Sequence, residues 1–206
     1  MITLFTAKTG NGYRVSILLE ELGLPYTVET IGFGPRADRP PAFLQASPLG
    51  KIPAIIDSGT PDGKPVMIAE SFAIALYLTE KTGKLMPPTL AERALAWTWS
   101  AIVVSGFGSA IPGIFFARQL GEAEHAKLIA KYFEDIDRCF GAMDAHLKLH
   151  CYLAGDGYSY ADCLAAPLLT TAKAFGVDLD GFPNVLRWGE AVFERPAVKA
   201  GMAIPQ

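Results

Sequence analysis

The chain has 206 residues, half of them apolar, and a formal net charge of −3 at pH 7. That apolar share is enough for one substantial core or two smaller ones, and the weak negative charge without basic clusters argues against nucleic acid as a partner. No apolar run approaches the roughly 20 residues of a membrane span, and Met1 leads directly into a strand pattern with no basic signal region, so a cytoplasmic protein without a membrane partner is expected.

The elements follow in chain order. Ile2-Thr3-Leu4-Phe5 is a short strand, and 11–22 has the helical spacing Val15, Leu18, Leu19, Leu22. A second strand covers 25–31, and a short helical turn covers 43–46. Pro53 fixes its own φ and lacks an N–H, so it opens or precedes the apolar strand Ala54-Ile55-Ile56. Val66-Met67-Ile68-Ala69 is the next strand, and after Glu70-Ser71 comes a helical pattern through Phe72, Ile74, Ala75, Leu76 and Leu78. From 90 onward every pattern is helical: 90–118 with a break at Pro112-Gly113, then 122–149, 159–175 and 183–193. The organisation expected is an α/β domain over 1–83 (β-α-β, then α-β-β-α), a linker over 84–89, and an all-α domain over 90–206.

Several residues of the first domain suggest a ligand. Ahead of Pro53, the N–H and C=O of Ile52 are free to pair with an extended peptide backbone. Ser71 is placed as the N-cap of the following helix, whose first N–H groups suit a carboxylate, and Glu70 beside them suits an ammonium group. Such a pair fits the zwitterionic γ-glutamyl end of glutathione, with Lys51 available for its glycyl carboxylate. Taken singly, the same residues describe a hairpin, a solvated lysine and an ordinary capped helix.

Taken with the order of elements, Lys51-Ile52-Pro53-Ala54, Glu70-Ser71 and Ile74-Ala75-Leu76-Tyr77-Leu78 resemble the cytosolic glutathione transferase superfamily. Ser159-Tyr160-Ala161-Asp162, a capping box at a helix start, and Arg195-Pro196-Ala197-Val198 extend the resemblance over nearly the whole chain. It implies a thioredoxin-like first domain with a cis peptide before Pro53, an all-helical second domain, glutathione as co-substrate, a small-molecule substrate and a homodimer. It also implies that Lys51, Ile52, Pro53, Glu70 and Ser71 bind the substrate.

Cys139, Cys151 and Cys163 are an odd number without metal-ligand spacing, all in the helical half, so neither a metal nor a protein thiol is expected in the reaction. Where a thioredoxin carries its redox cysteines, this chain has Thr9-Gly10-Asn11-Gly12. A glutathione sulfur held there would meet the positive end of the 11–22 helix, with hydrogen bonds from Thr9 and Asn11 lowering its pKa. Helix capping and turn support are the simpler roles for the same two residues, and Tyr13 is a competing hydroxyl one turn inside. The Thr-x-Asn-Gly arrangement followed by Leu18-Leu19-Glu20-Glu21 resembles the Nu class and the disulfide-bond oxidoreductases, which implies Thr9 and Asn11 as catalytic residues and glutathione disulfide as a possible bound form. The chain departs from that class at Ser105–Pro112-Gly113, where the glycines are kept and the polar ending is not.

The stripe Phe107, Ile111, Phe115 and Phe116, with Trp97 and Trp99 upstream, suits both core and pocket wall, and spacing does not divide it between them. The leading expectation is an enzyme that uses glutathione to reduce disulfides or to conjugate small electrophiles. The alternative is a glutathione-binding regulator or ligand carrier with little catalysis, and a third is a structural domain that has lost its site.

Overall fold

Strand β1 (Ile2–Thr6) is an inner strand of a four-stranded sheet of order β2-β1-β3-β4 in a computed structural model that describes every residue from Met1 to Gln206. It pairs in parallel with β2 (Tyr26–Thr30) and antiparallel with β3 (Ala54–Asp57), whose other edge pairs antiparallel with β4 (Val66–Ala69). The parallel pair requires a crossover, supplied by α1 (Gly10–Leu22). The chain divides into two compact units, Met1–Met86 with Phe193–Gln206, and Pro87–Val192.

Helix α1 starts where expected because Thr9 caps it, its Oγ1 accepting from the Gly12 N–H at 3.2 Å. It ends at Gly23, whose φ of 67° is the left-handed conformation glycine adopts freely, and Leu24 N–H then bonds back to the Leu19 carbonyl at 3.1 Å. Val15, Leu18, Leu19 and Leu22 are all buried, as the spacing requires. Helix α2 (Pro41–Ala46) carries Pro at its first position, where no N–H is needed, and sends Phe43 against Phe5 at 5.6 Å in a cluster with Ile31, Ala46 and Ala54.

Helix α3 (Ser71–Thr82) is tied to the sheet at its last turn. The fully buried Asp57 at the end of β3 accepts from Tyr77 Oη at 2.9 Å, from the Gly59 N–H at 2.8 Å, and from Lys81. Burial alone would raise the Asp57 carboxyl, but the hydrogen bonds from Lys81, Gly59 and Tyr77 outweigh it and hold the group below its ordinary value. Helix α10 (Pro196–Met202) belongs with this first unit and lies on α1, whereas the sequence reading counts 193–206 with the helical half.

The second unit is helical throughout. Helix α4 (Leu90–Ile102) begins at a capping box between Thr89 and Glu92. It runs through a π-helical turn, Val103–Phe107, into α5 (Gly108–Gly121). The expected break at Pro112-Gly113 is therefore absent, and Pro112 is carried inside α5. Its missing N–H and its ring disturb only the turn that precedes it, and the π turn lies just upstream. Gly113 is there for proximity, since a Cβ on it would lie 2.4 Å from the Tyr132 ring of α6 (Ala126–Leu147). The run Leu90–Gly121 is long and apolar enough to cross a membrane by length and composition, a feature that core helices share, and the sequence reading missed it because glycines and Pro112 interrupt its apolar runs.

The expected 159–175 helix is two helices, α7 (Tyr160–Ala165) and α8 (Pro167–Ala174), because Pro167 cannot donate the next helical bond and instead opens α8. The Ser159–Asp162 capping box is present. Asp162 is fully buried and accepts from Ser159 N–H at 2.9 Å, Leu153 N–H at 3.0 Å and Trp188 Nε1 at 2.8 Å, which fastens α7 to α9 (Pro183–Phe193).

Candidate active site

Strand registry brings the separate sequence motifs to one place. Phe5, near the end of β1, is opposite Ala54 at the start of β3, and Ala54 is opposite Ala69 at the end of β4. The segments that leave β1, enter β3 and leave β4 therefore share one end of the sheet. They carry Thr9 and Asn11, Lys51 to Pro53, and Glu70 with Ser71, respectively.

The entry to β3 is tied by side-chain hydrogen bonds. The Ile52–Pro53 peptide is cis, and Pro53 is buried. The β3 ladder begins at Ala54, leaving the backbone of Ile52 outside it. Buried Ser47 holds the loop from both sides: its Oγ accepts from the Lys51 N–H at 2.9 Å and donates to the Lys51 carbonyl at 2.8 Å. Arg39 donates to the Gly50 carbonyl, and its guanidinium lies 5.8 Å from the Phe43 ring centre. Gly50 has a φ of 63°. Lys51 is exposed, and its backbone is held by Ser47.

The exit from β4 corrects one expectation. Ser71 is the first residue of α3 and does not cap it; Glu70 occupies the capping position with φ 71° and ψ 117°, and its side chain makes no capping hydrogen bond. A non-glycine residue in this region costs on the order of 1–3 kcal/mol, a strain that is concentrated at functional sites. The N-terminal end of α3, which receives no cap bond from Glu70, carries the positive end of the helix dipole and suits an anion. Ser71 is buried and Glu70 exposed.

At the start of α1, Thr9 is partly buried and Asn11 exposed. The Thr9 hydroxyl accepts from Gly12, which uses a lone pair and leaves its proton available for donation. Tyr13 is half-buried, its N–H bonded to the Thr9 carbonyl at 3.0 Å. Three residues after Asn11 comes Arg14, which is 5% exposed. Burial pulls its guanidinium down to about 10, against the opposing charge of Glu70, so it remains a cation at neutral pH.

Arg14, Arg39 and Ser47 are absent from the sequence reading. Arg14 had a signal, since it follows Asn11 at helical i+3 spacing. Ser47 and Arg39 had none, because only the folded loop brings them to Gly50 and Lys51. No cysteine lies in the first unit: Cys163 is buried, Cys139 half-buried with its thiol pushed up by desolvation, and Cys151 exposed. The aromatic stripe is divided, with Phe107 and Trp99 buried and Phe115, Phe116 and Trp97 exposed.

Comparison with known proteins bears on this arrangement. The N-terminal domain pattern of glutathione S-transferases matches residues 11–81, and their C-terminal domain pattern matches residues 96–196. The disulfide-bond oxidoreductase YfcG of Escherichia coli (strain K12) is 33% identical over 198 residues, covering 96% of this chain and 92% of YfcG. The chain belongs to the glutathione S-transferase family. Among solved glutathione transferases, a family member from Pseudomonas fluorescens pf-5 with two glutathione bound superposes with a TM-score of 0.90 at 33% identity, covering 99% of this chain and 93% of that one. A glutathione transferase from Pseudomonas putida, with one glutathione disulfide bound per subunit, also has a TM-score of 0.90, at 32% identity, covering 100% and 92% of the two chains.

Proposed function

We propose that this glutathione transferase binds glutathione at the shared end of the sheet and uses it as a co-substrate, above all to reduce disulfides. The observation that supports the reading is the strand registry of Phe5, Ala54 and Ala69, which puts the three candidate segments at one end of the sheet. The YfcG likeness and the glutathione disulfide in the Pseudomonas putida structure favour disulfide chemistry. Conjugation to small electrophiles uses the same activated sulfur.

In this reading the backbone of Ile52 pairs with the cysteinyl residue of glutathione. The α3 N-terminus with Ser71 takes the γ-glutamyl carboxylate, Glu70 takes its ammonium, and Lys51 takes the glycyl carboxylate. Charge-assisted hydrogen bonds of this kind contribute roughly 1.5–3 kcal/mol each. Thr9 and Asn11 donate to the sulfur, and the α1 dipole adds a smaller field effect, so more of the bound thiol is ionised at neutral pH. The thiolate attacks one sulfur of a disulfide, forming a mixed glutathione disulfide and releasing the other sulfur as a thiolate that water protonates. A second glutathione thiolate then attacks the glutathione sulfur of that mixed disulfide. One disulfide is reduced to two thiols and two glutathione molecules become glutathione disulfide. A homodimer and a cytoplasmic setting, both implied by the family resemblance, complete the reading.

Steady-state assays with glutathione and either hydroxyethyl disulfide or 1-chloro-2,4-dinitrobenzene test the activity. Turnover of the disulfide well above the rate without enzyme is expected. Silence with both substrates, with glutathione still bound, would make the chain a binding module.

A further inference from the structure

The C-terminal helix α10 packs on α1 and fastens the helix on which Thr9 and Asn11 depend. Three contacts do this, all within the first unit. Ser16 Oγ, fully buried on α1, donates to the Gly201 carbonyl at 2.7 Å. Gly201 approaches the α1 backbone so closely that a Cβ on it would lie 2.4 Å from Ile17 Cα and 2.5 Å from Ile17 N. Just before α10, Arg195 forms a two-pronged pair with Glu21, Nε to Oε1 at 2.6 Å and Nη2 to Oε2 at 2.8 Å, with the Glu21 side chain only 6% exposed.

We propose that Ser16, Glu21, Arg195 and Gly201 are positioning residues for the glutathione sulfur, acting through α1. The proposal rests on the assignment of Thr9 and Asn11 to that sulfur. A helix is stiff along its axis, so a shift at Ser16–Glu21 is carried to the first turn. There, thiolate stabilisation requires donors within hydrogen-bond reach, and misplacement by about 1 Å costs on the order of a hundredfold in rate. The sheet-end contacts to glutathione through Ile52, Glu70 and Ser71 come from other elements. Loosening the clamp should therefore weaken sulfur activation and spare binding. The packing also explains the close approach at Gly201, because only a residue without a side chain lets the two backbones meet.

The test measures the pKa of the bound glutathione thiol by ultraviolet thiolate absorbance, with kcat and KM, on the full chain. Ser16→Ala and Glu21→Gln are the test variants, Arg195→Lys is the conservative variant, and Thr9→Ala is the control. Gly201→Ala is a fourth variant, read only if it folds. The clamp predicts that Ser16→Ala and Glu21→Gln raise the thiol pKa and lower kcat by about three- to tenfold, with KM for glutathione within about twofold of wild type. Arg195→Lys, which keeps the charge and loses one prong, should lie between them and wild type. Variants that melt earlier yet keep wild-type thiol pKa and kcat overturn the proposal, as do variants that change KM alone. If Thr9→Ala leaves the thiol pKa unmoved, the assignment of the sulfur site itself fails. If Thr9→Ala raises it and the clamp variants do not, only the clamp fails.

Discussion

Gly12 stands so close to Ala7 that a Cβ on it would lie 2.1 Å from the Ala7 carbonyl oxygen and 2.5 Å from Thr6 Oγ1. The obstacle is backbone and a fully buried side chain, so nothing nearby can yield cheaply. Gly12→Ala is expected to push the first turn of α1 away from β1, costing about 1–3 kcal/mol of stability and more than about tenfold in kcat/KM. Urea melts and steady-state kinetics on the same preparation check both halves. Wild-type kinetics would mean that the first turn is not part of the catalytic geometry.

Ser47→Ala should act on binding. It removes both hydrogen bonds that hold the Lys51 backbone, so Ile52 and Lys51 present themselves less sharply to glutathione. With about 1 kcal/mol net for each bond, about 2 kcal/mol for the two, KM should rise by up to about thirtyfold while kcat changes little. A fall in kcat at constant KM would assign Ser47 to the chemistry instead.

Much of this arrangement is legible in the sequence, and the exceptions have physical causes. Thr9, Pro53 and the Ser159–Asp162 pair declare themselves because caps and prolines act on their immediate neighbours. Ser71 reads as a cap in the sequence because residue type alone does not reveal that Glu70 turns through a positive φ and that the helix already begins at Ser71. Pro112-Gly113 reads as a break, but Gly113 serves the Tyr132 ring, a partner 19 positions away in the sequence. Ser47, Arg39 and the Gly201 contact on α1 depend wholly on tertiary approach, for which local pattern carries no signal.

Asp162→Ala should be the most damaging change in the second unit. It leaves the buried N–H groups of Leu153 and Ser159 and the Trp188 indole N–H without their acceptor. Unsatisfied buried donors cost about 1–3 kcal/mol each, so a loss of at least about 3 kcal/mol is expected in chemical denaturation. A loss below 1 kcal/mol would show that water replaces the carboxylate there.

Stability should also fall on mild acidification because of His146. Desolvation, and then the charge of His150, hold its pKa below the ordinary value; its ring lies 4.9 Å from Trp99 and 4.5 Å from His150. The unfolded chain therefore binds the proton more readily. The stabilising contribution is fully present above the unfolded value of about 6.5 and is lost as pH falls below it through the folded value. Denaturation midpoints between pH 8 and pH 5 should decline more for wild type than for His146→Gln. An equal decline would remove His146 as the cause.

In the proposed reaction the reacting sulfur belongs to glutathione and is activated by Thr9 and Asn11. Glutathione-dependent disulfide reduction by a variant with Cys139, Cys151 and Cys163 all changed to Ser, compared with the same variant also carrying Thr9→Ala or Asn11→Ala, tests this assignment. The cysteine-free protein should keep most of the wild-type rate, and each added change should lower it about ten- to hundredfold, the worth of one lost donor at roughly 1–3 kcal/mol. A cysteine-free protein that folds and binds glutathione but is inactive would contradict the assignment and return the reaction to a protein thiol, the exposed Cys151 first.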